Sequence, residues 1–328
     1  MVPRVQVRDG DGFRPLEYER DILALLDWDS FNFDASNISI ATNTMTGSQN
    51  FSVDIQEDLA SQSYSASSVD YVSEAETRVD RPYLIRQLMT VIPNPWQGAR
   101  ILDSVLQALK ARGKSDEEIS KGQFILISQM KENLRKQIEG ACEALFRTRV
   151  AKNEIVFQLV GNKDDFFVPE DIQATIADDT LPLFGFANQA KKTLFEFVFK
   201  GELNGFEENV ALYMDNADVV QWWHRIAVNR KSYSLQGWKR SKIYPDFLCC
   251  VEKDGGNTKL LVLETKGKHL DNSDTAFKER VFEVLEQAYQ NVGSVDLHDS
   301  QAEEMKFQIL MQTEEEEAWK PELGKILA

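Results

Sequence analysis

Apolar and polar residues alternate along the start of this chain. "VPRVQV" at 2–7, "FNFDASNISIAT" at 31–42 and "NFSVDI" at 50–55 place an apolar side chain at about every second position, the pattern of half-buried strands. "ERDILALLDW" at 19–28 reads as a short helix or turn. "SQSYSASSVDYVSEAETRVDRP" at 61–82 is polar and serine-rich and reads as a linker. From about Pro82 to about Val168 the period becomes helical. In "NPWQGARILDSVLQALKARG" the residues Ile101, Val105, Leu106 and Leu109 share one stripe, and Gly113 is placed to end the helix. Ser115 is the expected N-cap of the stretch 115–153, which is long enough for a broken pair of helices. Residues 169–196 form a mixed connector.

After about Phe197 strands and helices intermix. "FEENVALYMDNA" is an amphipathic helix with Phe206, Val210, Ala211 and Met214 as its inner side. "VVQWWHRI" and "SYSLQGW" read as strands. "DFLCCVEK" and "TKLLVLETK" form a hairpin around Asp254-Gly255-Gly256-Asn257, "TAFKERVFEVLEQAYQNV" is a helix and "KFQILMQ" a last strand. The "TEEEEAWKPELGKILA" that follows is a solvated tail or a docked terminal helix. The expected organisation is therefore an acidic β-rich docking or scaffold region at 1–80, a helical region with its connector at 81–196, and an α/β domain at 197–328.

Composition narrows the picture. At 328 residues with 42% hydrophobic positions, the chain is large enough for two or three domains. No apolar run approaches a membrane span, and of the three cysteines, Cys142, Cys249 and Cys250, the adjacent Cys249 and Cys250 point to opposite faces of a strand and suit neither a zinc knuckle nor a shared disulfide; a reduced cytoplasmic protein without membrane partners is expected. The net charge of −16 argues against a general nucleic-acid coat. Its distribution is uneven. No acidic residue lies between Asp218 and Asp246, where Arg225, Arg230, Lys231, Lys239, Arg240 and Lys242 interleave with Trp222, Trp223, Tyr233, Trp238 and Tyr244. Basic residues neutralise phosphates and aromatics stack on bases, so this window is a candidate nucleic-acid face. Two ordinary strands with core aromatics are the alternative.

The chemistry concentrates in "YPDFLCCVEKDGGNTKLLVLETKG" at 244–267. Charged residues at the rim of a buried sheet are costly unless paired or holding a metal. Glu264 and Lys266 share a face of their strand, with the Thr265 backbone carbonyl between them. If the hairpin brings Asp246 alongside Glu264, two carboxylates and one carbonyl offer the hard oxygen ligands that suit Mg²⁺, with Mn²⁺ as a substitute. Lys266 would then activate water or offset charge on a transferring phosphoryl group. Register tests this, because only an odd loop or a local distortion pairs Asp246 with Glu264. Glu207, one helical turn before Val210 and Ala211, is the expected supporting carboxylate. His224, His269 and His298 lack ligand spacing and are expected at the surface or in hydrogen bonds.

"FEENVALYMDNADVVQWWHRI", "YPDFL" and "LVLETKGKHL", in that order, resemble the PD-(D/E)xK nuclease superfamily, and more narrowly the C-terminal endonuclease region of type III restriction enzymes and related helicase–nucleases. The resemblance covers roughly the last 120 residues. It implies a restriction-endonuclease-like mixed sheet flanked by helices, with Asp246, Glu264 and Lys266 catalytic, Glu207 as the helix glutamate, Mg²⁺ as cofactor and double-stranded DNA cut hydrolytically. Lys278 matches a recurrent basic position and is expected at phosphate. The chain has no GxxxxGK[ST] loop and so no ATP site of that kind. It is expected to be a fragment of a larger enzyme or a nuclease split from its helicase/ATPase, with a methyltransferase subunit as a further partner. A nuclease-fold docking module, inactive without those partners, is the alternative.

Overall fold

The computed structural model describes residues 4–40, 78–158, 190–194, 203–226, 233–253, 256, 258–267, 273–292, 302–312 and 317–328. The chain is mixed α/β and divides into two units, Met1–Leu25 with Cys142–Ala328, and Leu26–Ala141. This differs from three consecutive segments. The N-terminal hairpin, β1 (Arg4–Asp9) and β2 (Gly12–Pro15), pairs through β1 with β3 (Ile155–Gln158), giving a sheet of order β2-β1-β3. β3 lies where a helical period was expected. Four residues are too few to display a period of two, and the pairing with β1 decides their conformation.

The first unit also holds a second sheet of order β4-β5-β6-β7, built from β4 (Val220–Arg225), β5 (Phe247–Glu252), β6 (Thr258–Lys266) and β7 (Ala302–Met311). β4, β5 and β6 run antiparallel, whereas β7 is parallel to β6 and is reached through α7 (Ser273–Val292). A parallel neighbour requires such a crossover. α6 (Gly205–Asn216) precedes the sheet. Asn204 caps it, and the expected inner residues Phe206, Val210, Ala211 and Met214 are all buried.

Alternation along the strands sorts the core. Phe247, Cys249, Leu261, Leu263 and Leu310 face α6 and α8 (Trp319–Leu327), with Trp319, Leu323 and Leu327 buried among them. The C-terminal segment is thus a docked helix, and the buried Lys259 ammonium donates to Ile326 O at 2.7 Å near its end. Leu248, Leu260 and Val262 belong to the opposite face, toward α7. There the Phe282 and Phe307 rings lie 5.2 Å apart.

Two tertiary ties were not legible in sequence. The segment 190–194 runs along β4, with Trp223 N donating to Lys192 O and Leu194 N to Trp223 O. Buried Asp215 accepts from Lys191 N, Lys192 N and Trp223 Nε1, at 2.9–3.1 Å. The "SYSLQGW" stretch is not a strand. Only Leu235 and Ile243 bridge, pinching a loop whose Trp238 is buried between Phe146 and Phe277.

In the second unit, α2 (Arg81–Leu88) and α3 (Pro95–Ala111) carry Asp80 and Asn94 as caps, and Gly113 adopts φ +86 after α3. Ser115 forms the expected cap, with Glu118 completing a capping box on α4 (Asp116–Lys121). α5 (Gln123–Ala151) follows across Gly122 and continues from Cys142 onward into the first unit. Residues 31–40 are not a strand. Phe33, Ile38 and Ile40 are buried, with the alternation changing phase at Ser36 and Asn37, and the backbone is held by side chains: Gln137 and Gln129 accept from Asp34 N and Ser39 N, and Arg112 donates to Ala35 O and Ile38 O. "NFSVDI" and most of the serine-rich linker and of the connector lie outside the described residues.

Asp215→Ala leaves the buried Trp223 indole N–H and the part-buried Lys191 and Lys192 amides without their acceptor, and should destabilise the chain by about 2 kcal/mol. Urea unfolding followed by tryptophan fluorescence measures the change.

Candidate active site

The β5–β6 register sets the site. Phe247 pairs with Leu263 and Glu252 with Thr258, so residues 253–257 form an odd connection and position 246 continues opposite Glu264. Gly256 takes φ +85 within it, a conformation open to glycine. The connection is thus the odd one expected, five residues long.

The two carboxylates nevertheless hold different partners. Glu264 projects toward α7 and is 3% exposed. Its Oε1 accepts from Lys266 Nζ at 2.9 Å and from Lys278 Nζ, on α7, at 2.7 Å. Asp274 lies 3.3 Å from Lys278 and 3.9 Å from Lys266. Burial pulls the Lys278 ammonium down, but the charge of Glu264, its hydrogen bond and Asp274 outweigh that and hold its pKa above the ordinary value. Glu264 Oε2 is buried without any hydrogen-bond partner. A carboxylate oxygen left bare in a protein interior is costly, and implies a cation or water.

Asp246 instead turns across the strand end. Its Oδ2 accepts from Thr265 N and from Thr265 Oγ1, both at 2.7 Å. The Arg225 guanidinium stands 3.6 Å from Oδ1 through NH1 and 3.2 Å from Glu207 Oε2 through NH2. NH1 also donates to Ile226 O at 2.5 Å and Asp246 O at 3.2 Å. Glu207 is at the same time the N3 partner of Asn204 in the cap of α6. Burial raises its pKa, Asp246 adds to the rise and Arg225 opposes it.

These two clusters, Glu264–Lys266–Lys278 and Asp246–Arg225–Glu207, meet at the consecutive residues Glu264 and Thr265. Lys266 O accepts from Gln312 N beside β7, so strand alternation turns the Thr265 carbonyl toward the β5 side. The residue opposite it by continued register is Pro245, which has no N–H to donate. Among the described residues no group of three or more His, Cys, Asp or Glu side chains is arranged to hold a metal ion. The oxygens left without a close hydrogen bond are Glu264 Oε2, which has none, and Asp246 Oδ1, which lies 3.6 Å from Arg225, while the Thr265 carbonyl faces Pro245. This is a sparse set, compatible with an ion that keeps several waters.

Among its described residues the basic window divides between buried aromatics and exposed cations. Trp223, Tyr233 and Trp238 are buried core side chains, and Arg225 is drawn inward onto Glu207 and Asp246. The Lys239 ammonium lies 4.4 Å above the Phe277 ring, Arg240 is exposed and pairs with Glu19 at 2.9 Å, and Lys242 is exposed. Arg230, Lys231, His269 and His298 lie outside the described residues. Asp274 escaped notice in the sequence, although its spacing four residues before Lys278 on one helix was available as a signal. His224 is buried rather than superficial, and burial, with Arg225 nearby, lowers its pKa from 6.5 to about 4.

Comparison with protein-family models, curated proteins and solved structures returned no match. No helix among the described residues is long and apolar enough to cross a membrane.

The His224 shift has a definite sign. Between pH 6.5 and 4 the unfolded chain binds a proton that the folded imidazole excludes, so its contribution to stability is full above pH 6.5 and falls as the solution is acidified. At about 1.4 kcal/mol per pH unit the wild type should lose about 3 kcal/mol more than His224→Gln across this window. Paired urea titrations of the two proteins isolate the effect from the carboxylates that titrate alongside.

Proposed function

We propose that the chain carries a Mg²⁺-dependent endonuclease site that hydrolyses phosphodiester bonds of double-stranded DNA. The observation that carries this reading is the bare, buried Glu264 Oε2 beside a lysine-bound Oε1, at a strand end whose register neighbour is Asp246. The order of elements supports it: a helix, three antiparallel strands, a crossover helix and a parallel strand. That order is compatible with the restriction-endonuclease-like fold implied by the PD-(D/E)xK resemblance.

A bound Mg²⁺ would polarise a phosphoryl oxygen and acidify a coordinated water. Asp246, Glu264 and the Thr265 carbonyl are the groups to hold it. Lys266 holds a positive charge next to Glu264, where it offsets charge on the reacting phosphate or orients the attacking water. Lys278 shares the same carboxylate oxygen and restrains both side chains. Of the basic window, Lys242, Arg240 and Lys239 remain for phosphate contact together with Arg230 and Lys231, whereas Arg225 serves the site from within.

A second reading, a docking module that cuts only with a helicase or methyltransferase partner, is favoured by one observation. Of the seven exposed large apolar side chains among the described residues, four, Met89, Trp96, Phe124 and Ile125, lie in Leu26–Ala141, with Trp96 82% exposed. Exposed apolar groups of this size are common at protein contacts.

Incubation with supercoiled plasmid and Mg²⁺ should give nicked or linear DNA, and EDTA should stop the reaction. Lys266→Ala and Asp246→Ala should each lower the rate by at least about 10²-fold with circular dichroism unchanged. Cleavage that survives both substitutions overturns the assignment. Activity that appears only when a partner and ATP are added selects the second reading.

A further inference from the structure

We infer that the Arg225 guanidinium occupies the place of a second cation, so that the site takes one divalent ion and Glu207 is a counter-ion rather than a ligand. The inference rests on the metal site proposed above and deepens it by setting how many ions that site holds and by which carboxylates.

Three carboxylates converge on this strand end, and three could in principle share two ions. The geometry divides them otherwise. One guanidinium spans Glu207 and Asp246, with NH2 3.2 Å from Glu207 Oε2 and NH1 3.6 Å from Asp246 Oδ1. It cannot drift away, because NH1 is fixed on Ile226 O and Asp246 O, the ring of Phe247 lies 5.6 Å from its Cζ, and only 14% of the side chain is exposed. A divalent ion between Glu207 and Asp246 would have to displace a buried, permanently charged group. One oxygen of Glu207 is tied into the helix start, since the Oε2 facing Arg225 also accepts from Asn204 N in the cap of α6. Turning it onto a metal would open the helix start.

The other side differs. Glu264 Oε1 is held by two lysines, but Oε2 has no hydrogen-bond partner. Asp246 Oδ2 is bonded to Thr265, and its Oδ1 meets Arg225 only beyond hydrogen-bond distance. One oxygen of each carboxylate therefore remains for a single ion. The fixed positive charge on the Glu207 side repels a second.

Mn²⁺ titration of the full chain, read by calorimetry and by the EPR signal of free Mn²⁺, tests this without a cleavage assay. Wild type should bind one ion, and Glu264→Gln should abolish binding. Glu207→Gln should leave the count at one and change the affinity by less than about tenfold, the least expected when a group supporting a metal is lost. Arg225→Met should gain a second ion, and the Glu207→Gln, Arg225→Met double variant should lose it again. Two ions on wild type, a larger loss in Glu207→Gln, or no second ion on folded Arg225→Met each overturns the inference while leaving the nuclease reading intact. No ion on wild type overturns both. Should Arg225→Met fail to fold, the wild-type count and the Glu207→Gln affinity still decide.

Discussion

The register of β5 against β6 is the constraint on which the site depends. Phe247, Cys249 and Val251 must face α6 and α8 to bury their side chains, and they can do so only opposite Leu263, Leu261 and Lys259. A slip by one residue would turn every one of them onto the opposite face, where α7 packs on Leu248 and Val262. The same register brings position 246 opposite Glu264 and Pro245 opposite Thr265. Burial of ordinary apolar residues thus determines where the charged ones meet. Proline then leaves a main-chain carbonyl without its usual strand partner.

The register opposes Asp246 and Glu264, but beyond the end of β5 their side chains part. Glu264 follows the strand and points to α7, where Lys266 and Lys278 converge on one oxygen. Asp246 stands just beyond the end of β5, and its side chain bends to the Thr265 amide and hydroxyl. Each carboxylate is thereby held by a different element: α7 for one, β4 through Arg225 for the other. The two half-sites adjoin at the consecutive residues Glu264 and Thr265. That arrangement gives each half its own counter-ion, which buried charge requires.

The surrounding scaffold follows from similar economies. Asp215 collects three donors and so fastens 190–194 to the open side of β4. The 233–245 loop lacks a regular ladder and is anchored by Trp238, between aromatic rings and beneath the guanidinium groups of Arg147 and Arg280. Such a loop carries exposed Arg240 and Lys242 on a rigid base, as binding loops commonly do.

Much of this was legible in local pattern. The inner residues of α6, the Ser115 cap and the odd β5–β6 connection that sets Asp246 opposite Glu264 all follow from spacing, because helix faces, caps and strand alternation are set by neighbours a few residues apart. Other features depended on partners distant in the chain. β3 exists because β1 is available to pair with it, and residues 31–40 bury alternate side chains without a ladder because Gln129, Gln137 and Arg112 satisfy their backbone. Arg225 reads as a surface cation in a basic run, yet the carboxylates it meets are 18 and 21 residues away. Sequence determined which residues could hold charge at the strand end. Tertiary structure alone decided which charges compensate one another, since buried ions are placed by whatever opposite charge the folded chain brings within reach.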